Sequence, residues 1–143
     1  MKRSSTPAAP PPRQASDPAP RLVLVVDDEP VVLTVTSRML TSAGYGVIQA
    51  LSAREALRVL ELGDPRIDLV ITDVVMPETD GRALGRLIGE QHPAVPVLYM
   101  SAYPAEDVFH RGSPGAGLPF LRKPFSLEQL LNAIASTLDC PTS

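Results

Sequence analysis

The sequence contains no tryptophan, a single cysteine and no hydrophobic run long enough to cross a membrane. Cys140 cannot form a disulfide within the chain, and it has no second thiolate with which to build a metal site. The apolar runs are well short of the roughly 18 residues that a spanning helix needs. Lys2 and Arg3 precede proline, alanine and serine instead of the apolar core of a signal peptide. These absences predict a soluble, cytoplasmic protein that does not bind membranes.

Proline and charge are unevenly distributed and predict a domain boundary near residue 20. Residues 1–20 hold six of the sixteen prolines and no Leu, Ile, Val or aromatic residue, so we expect a disordered or polyproline II-like tail. Residues 21–139 are predicted to form one domain, followed by a short tail over 140–143. The first 21 residues carry a net charge of +3 and the rest −6. Because nucleic-acid binding depends on clustered Lys and Arg, the acidic domain argues against direct contact with nucleic acid.

Two hydrophobic periods alternate from Leu22 onward. Continuous apolar runs typical of strands buried on both faces lie at 22–26, 46–50, 68–72, 95–100 and 118–121. Segments with helical spacing lie at 30–44, 52–63, 81–90, 104–110 and 126–138, and the fourth is followed by a glycine-rich segment over 112–117. Ser52 with Glu55 and Ser126 with Gln129 have the spacing of capping boxes and predict the starts of the second and last helices. Five strands alternating with five helices predict an α/β protein with a doubly wound, five-stranded parallel sheet flanked by five helices.

Polar residues follow four of the predicted strands. Asp27 and Asp28 follow the first strand, Asp73 the third, Ser101 the fourth and Lys123 the fifth. The carboxyl ends of parallel strands share one edge of an open sheet, and ligands bind at that edge. We therefore expect these five residues to converge on one cleft.

The residue types in this group point to phosphoryl chemistry with a metal ion. Three neighbouring carboxylates repel one another unless a cation is bound, and Mg²⁺ accepts carboxylates while leaving positions for phosphate oxygens. The absence of His and Cys argues against Zn²⁺. Lys123 adds a positive charge and Ser101 a hydroxyl donor, so that the group describes a phosphoryl site. Asp73 is the candidate nucleophile, because carboxylates form aspartyl phosphates.

Four strings around these residues resemble the receiver domain of two-component response regulators. They are LVLVVDDEP, DLVITDVVMPETDG, VLYMSAY and FLRKPF, and they occur in the order and at the spacing of the family over about residues 21–139. The segment VLYMSAYPAEDV and the glycine-rich run after it are most similar to receivers of hybrid histidine kinases. The resemblance implies the flavodoxin-like, CheY-like fold.

The resemblance also implies roles for individual residues in phosphoryl transfer. Asp27, Asp28 and Asp73 match the acidic residues that hold Mg²⁺, and the backbone carbonyl of Val75 matches the remaining protein ligand of the metal. Asp73 matches the aspartate that accepts the phosphoryl group. Lys123 matches the lysine that contacts the phosphoryl oxygens.

Three further positions match the conformational switch of the family. Ser101 matches the switch hydroxyl, which also contacts the phosphoryl group, and Phe120 matches the switch aromatic on the last strand. Pro124 matches a proline that follows a cis peptide bond, which here is the bond from Lys123. Phosphorylation is expected to remodel the face formed by the fourth helix, fifth strand and fifth helix.

The implied function is signalling through protein partners. A histidine kinase or phosphotransfer protein donates the phosphoryl group, and the remodelled face contacts a downstream protein. The chain is expected to be a monomer or weak dimer that catalyses only its own phosphorylation and dephosphorylation, rather than an enzyme with other substrates.

Three other functions use similar residues. A haloacid-dehalogenase-like Mg²⁺ phosphatase also has an aspartate nucleophile, but it requires a second Asp two residues later, where this chain has Val75. A nucleotide-binding module requires glycines after the first strand, which here continues into DDEP. A receiver-like interaction module that is not phosphorylated would have no need of all five polar residues.

Overall fold

The computed structural model describes residues 21–63, 65–76, 80–104 and 120–139. Within these ranges the chain forms five strands and four helices. The strands are β1 (Leu22–Val26), β2 (Gly46–Ala50), β3 (Leu69–Asp73), β4 (Val97–Ser101) and β5 (Phe120–Arg122). The helices are α1 (Pro30–Ser42), α2 (Ala53–Leu62), α3 (Gly81–Gln91) and α4 (Leu127–Asp139). The predicted helix over 104–110 lies outside the described residues beyond residue 104, as do the glycine-rich segment and both tails.

All strands are parallel and lie in the order β2-β1-β3-β4-β5. This is the doubly wound arrangement, which confirms the predicted fold class. The chain crosses from one side of the sheet to the other between the adjacent strands β1 and β3. Because the connections leave these two strands in opposite directions, a crevice opens at their carboxyl ends, where a ligand can bind.

Strand ends differ from the pattern by one or two residues. Asp73 and Ser101 are the last residues of β3 and β4, where the sequence predicted that they would follow the strands. They continue the sheet because Asp73 pairs with Met100 and Ser101 with Arg122. The β4 strand begins at Val97 rather than residue 95, after Pro96, which has no N–H to donate to a neighbouring strand.

Both faces of the sheet are covered, as continuous apolar runs require. Successive strand residues point to opposite faces, so that each strand contributes to two separate cores. One core joins the sheet to α1 and α4 and includes Val23, Val25, Ile71, Leu98, Met100, Leu33, Leu40, Leu130 and Ile134. The other joins it to α2 and α3 and includes Leu24, Val26, Val70, Ala56, Leu60, Leu84 and Ile88. Each fully buried large aliphatic side chain contributes about 1.5–3 kcal/mol.

Serine side chains cap the first turns of α2 and α4. The Oγ of Ser126 accepts a hydrogen bond from Gln129 N at 3.1 Å, and Gln129 Oε1 accepts one from Ser126 N at 2.9 Å. This is the reciprocal capping box predicted for the last helix. At α2, Ser52 Oγ accepts from Glu55 N at 3.2 Å, but Glu55 Oε1 accepts from Leu51 N instead of Ser52 N.

Ser126→Ala is expected to lower the free energy of unfolding by about 1 kcal/mol, because the backbone N–H of Gln129 at the start of α4 loses its side-chain acceptor. Chemical denaturation measures the change. Ser136→Ala, on the exposed part of the same helix, is the control and is expected to raise stability by a few tenths of a kcal/mol through helix propensity. Equal effects of the two substitutions would contradict the capping assignment.

Candidate functional site

Four of the predicted site residues meet at the carboxyl edge of the sheet. The carboxylate oxygens of Asp27, Asp28 and Asp73 lie within 4.8 Å of one another. The ammonium of Lys123 lies 2.7 Å from Asp27 Oδ2 and 3.4 Å from Asp73 Oδ1. The adjacency of β1 and β3 brings the aspartates together, and the end of β5 supplies the lysine. We call these four residues the acidic cluster and its lysine.

Asp27 is the most firmly held member of this cluster. It is fully buried, and its Oδ1 accepts a hydrogen bond from Glu29 N at 2.9 Å. Its other oxygen accepts from Lys123, and its backbone N donates to Ala50 O at 3.1 Å. Asp28 is half-buried and Asp73 is 6% exposed. Asp27 therefore orients the lysine, while the other two carboxylates remain accessible to a ligand.

Ser101 lies at the same edge, as the buried last residue of β4. Its Oγ accepts a hydrogen bond from Tyr103 N at 3.1 Å, so that the hydroxyl shapes its own loop. Its backbone carbonyl accepts from Lys123 N at 2.8 Å, which ties the start of the lysine-bearing segment to β4. The hydroxyl proton can still be donated to a ligand oxygen.

The remaining predicted residues surround the cluster. Val75 is 51% exposed just beyond β3. Phe120 begins β5, is half-buried and packs against buried Val74 and Tyr99. The peptide bond between Lys123 and Pro124 is cis, the form that the resemblance implies.

The electrostatics of the cluster favour a bound cation. Burial raises the pKa of the Asp73 carboxyl, Lys123 lowers it, and the charges of Asp27 and Asp28 raise it again, with a net result of about 6. For Lys123, burial lowers the pKa, but the hydrogen bond and charge of Asp27 and the charge of Asp73 outweigh it and raise the pKa above the usual value. The lysine therefore stays protonated at neutral pH, whereas Asp73 is ionised there at a cost that a cation would offset.

Gly81 lies against the functional site, although the sequence pattern identifies it only as the start of a helix. A side chain here would collide with the carbonyl of Asp73, and its Cβ would lie 2.9 Å from Val74 Cα. The Gly81 N–H donates to Val74 O at 2.7 Å, and Asp80 caps the helix by accepting from Arg82 N at 2.6 Å. The first turn of α3 is thus held directly against the end of β3. The available signal was the aspartate and glycine pair before an apolar helical pattern.

A doubly wound parallel sheet with an acidic cluster and a lysine at its switch point is the architecture of CheY-like proteins. The chain belongs to the response regulator receiver domain family, whose model matches residues 23–135. The protein is therefore a receiver domain of the kind that serves as phosphoacceptor in two-component signalling. This match gives no support to the phosphatase or to the unphosphorylated module. None of the described helices is long and apolar enough to span a bilayer.

Individual relatives agree with the family match. Sensor kinase CckA of Brucella abortus is 43% identical over 118 residues, which are 82% of this chain and 12% of that protein. The chemotaxis response regulator CheY4 of Vibrio cholerae has a TM-score of 0.72 at 30% identity and covers 83% of this chain and 99% of its own. Response regulator TrrA of Thermotoga maritima, solved with Mg²⁺ and beryllofluoride, has a TM-score of 0.72 at 27% identity. The match covers 82% of this chain and 99% of the TrrA chain.

Proposed function

We propose that this protein accepts a phosphoryl group on Asp73 from a histidine kinase or phosphotransfer protein, with Mg²⁺ as cofactor. The observation that carries the proposal is the placement of three carboxylates within 4.8 Å of one another with Lys123 in contact with two of them. The role of each residue follows from its position and charge, and the domain responsible is proposed to span residues 21–139.

The donor set fits Mg²⁺. It consists of hard carboxylate oxygens, without the nitrogen or sulfur ligands that Zn²⁺ favours. Asp27, Asp28 and Asp73 would hold the ion together with the backbone carbonyl of Val75. The relative TrrA was solved with Mg²⁺ and beryllofluoride. When bound, the ion would offset negative charge on the phosphoryl oxygens.

The side chains of this protein perform the transfer. A carboxylate oxygen of Asp73 attacks phosphorus, an O–P bond forms, and the N–P bond to the donor imidazole breaks, leaving an acyl phosphate and a neutral histidine after protonation. Lys123 offsets the charge of the phosphoryl oxygens, and Asp27 holds the lysine in place at 2.7 Å. Ser101 donates its hydroxyl proton to a phosphoryl oxygen.

The added charge on Asp73 is proposed to shift the domain between two conformations. Ser101 moves toward the phosphoryl group, and Phe120 follows. The face that includes β5 and α4, which is the last of the five predicted helices, then changes its contacts with a partner protein. We propose that the protein is a cytoplasmic monomer or weak dimer, because such a state leaves this face free to exchange partners. Direct contact with nucleic acid is not part of the proposal.

Acetyl phosphate is expected to add one phosphoryl group per chain in the presence of Mg²⁺, and the label is expected to be sensitive to hydroxylamine as an acyl phosphate is. Intact-mass measurement counts the label. Asp73→Asn should abolish labelling, whereas Glu61→Gln, an exposed carboxylate on α2, should leave it unchanged. Labelling of the Asp73→Asn protein, labelling without Mg²⁺, or steady turnover of a small phosphoester would contradict the proposal.

The exposed apolar side chain of Val75 is expected to prolong the phosphorylated state by keeping water from the acyl phosphate. Val75→Asn should accelerate loss of the label severalfold, because an amide can hold and orient a water molecule. The decay of labelled protein after removal of acetyl phosphate measures the rate. Leu62→Asn introduces the same amide at a 70% exposed position at the end of α2, and its decay should match the wild type. Unchanged decay in Val75→Asn would refute this role.

A further inference from the structure

A cavity of about 310 Å³ lies at the amino ends of the strands, on the edge of the sheet opposite the acidic cluster. The segments that lead into β1, β3 and β4 and the ends of α2, α3 and α4 enclose it. A five-residue strand spans about 17 Å, so that this distance separates the cavity from the phosphoacceptor residue. A molecule bound here would not touch Asp73.

His92 lines this cavity, and one nitrogen of its side chain has no hydrogen-bond partner. Its backbone is fixed, because His92 N donates to Ile88 O at 2.7 Å and His92 O accepts from Val95 N at 3.0 Å. Its Nε2 is buried, and within the described part of the chain it is the one buried side-chain nitrogen or oxygen without a hydrogen-bond partner. Such an atom costs about 1–3 kcal/mol when it stays unpaired, so the site favours a molecule that supplies the missing bond.

Two arginines determine the charge of that molecule. Arg21 and Arg66 both line the cavity and are exposed. The carboxylate of Asp68 also lines it, but one oxygen accepts from Leu22 N at 2.9 Å and the other lies 4.0 Å from Arg66 Nε. Two cations therefore face one carboxylate that is already bound to the backbone, and the lining carries a net positive charge.

The other walls are apolar. Leu60 and Ile67 are buried, and Val95 and Leu138 are half-buried. A guanidinium group binds a carboxylate through two parallel N–H donors. An apolar group attached to that carboxylate would be stabilised by burial against the hydrophobic walls. Both features are present within one volume of the size that small molecules occupy.

We infer that this cavity is a second ligand site, which binds a small organic carboxylate. The carboxylate oxygens accept hydrogen bonds from Arg21 and Arg66, and from the Nε2–H of His92 once the imidazole ring, whose Nε2 is buried in the unliganded protein, turns toward the cavity. The apolar body of the molecule lies against Leu60 and Ile67.

Benzoate is a suitable probe, because it joins one carboxylate to one ring. In the wild-type chain, benzoate is expected to shift the imidazole NMR signals of His92 in a saturable manner. Arg66→Gln and Arg21→Gln should each weaken binding by about tenfold, the loss of one charge-assisted hydrogen bond. Arg54→Gln, an exposed arginine on α2 that does not line the cavity, should have no effect.

Inorganic phosphate and chloride, at matched ionic strength, separate the contributions of charge and shape. Phosphate is expected to bind His92 more weakly than benzoate does, and chloride is expected not to bind. No shift with benzoate, a shift that chloride reproduces, or equal binding by the Arg66→Gln protein would overturn the inference. Benzoate should bind the Asp73→Asn protein as tightly as the wild type. The test of this cavity is therefore independent of the phosphoacceptor proposal.

Discussion

Without metal at pH 7.5, the Asp73→Asn protein is expected to be more stable than the wild type by up to about 3 kcal/mol. Burial, followed by the charges of Asp27 and Asp28, raises the pKa of Asp73 from 3.8 to about 6 despite the opposing effect of Lys123. A tenfold change in an acidity constant corresponds to about 1.4 kcal/mol. Asparagine keeps the shape of the side chain and removes its charge. Lys123 keeps its 2.7 Å contact with Asp27.

The pH dependence of stability follows from the same pKa. Between pH 3.8 and about 6, the folded wild-type protein retains a proton on Asp73 that the unfolded chain has released. The folded state therefore binds more protons, and the free energy of unfolding falls as the pH rises through this window. About one pH unit above the folded-state pKa of about 6, both states are ionised and the cost is complete. The difference between Asp73→Asn and wild type should thus grow across the window and then remain constant.

Magnesium is expected to reverse the order of stability. A ligand at about 1,000 times its dissociation constant stabilises the folded state by about 4.1 kcal/mol, which exceeds the cost of ionised Asp73, and Asp73→Asn lacks one of the carboxylates proposed to bind the ion. Urea titrations from pH 4 to 8, with EDTA or Mg²⁺, measure both effects, and Glu61→Gln serves as the control for loss of a surface carboxylate. A metal-free Asp73→Asn protein less stable than wild type at pH 7.5 would show that the ionised cluster is not strained.

Gly81→Ala is expected to destabilise the protein by about 2–3 kcal/mol and to weaken Mg²⁺ binding. The added methyl group would collide with the carbonyl of Asp73 and would approach Val74 Cα to 2.9 Å. These are backbone atoms at the end of β3, which cannot move without displacing the acidic cluster or the first turn of α3. Thermal and urea denaturation measure the stability, and the dependence of melting temperature on Mg²⁺ measures the metal affinity.

Other glycines of α3 provide matched controls for this substitution. No atom lies within 4 Å of a Cβ at exposed Gly89, so that Gly89→Ala should stabilise the helix by about 0.5–1 kcal/mol. At Gly85 the collision is with the hydroxyl of Tyr99, the end of a side chain, and a smaller loss than at Gly81 is expected. Substitutions at Gly81 and Gly89 that change stability in the same direction would contradict the close approach of α3 to β3.

The architecture was predictable from the sequence, because it depends on local periodicity. Apolar runs of four to six residues produced the five strands, of which β1, β3 and β4 are buried on both faces, and the serine caps at α2 and α4 were found from spacing alone. Strand ends were less predictable. The predicted strand ends depend on the hydropathy of the side chains. The sheet nevertheless includes the polar residues Asp73 and Ser101, because their backbones pair with a neighbouring strand.

The residue types, their order and their positions near the ends of strands were enough to establish the family and a group of acidic residues that suits Mg²⁺. The 2.7 Å contact between Lys123 and Asp27, 96 residues apart in the chain, was decided by tertiary structure alone, as were the approach of Gly81 to Asp73 and the raised pKa of Asp73. The reason is physical. Hydrophobic periodicity is a property of neighbouring residues, whereas distances and burial at the site depend on how strands that are remote in sequence are ordered and on how closely α3 packs against them.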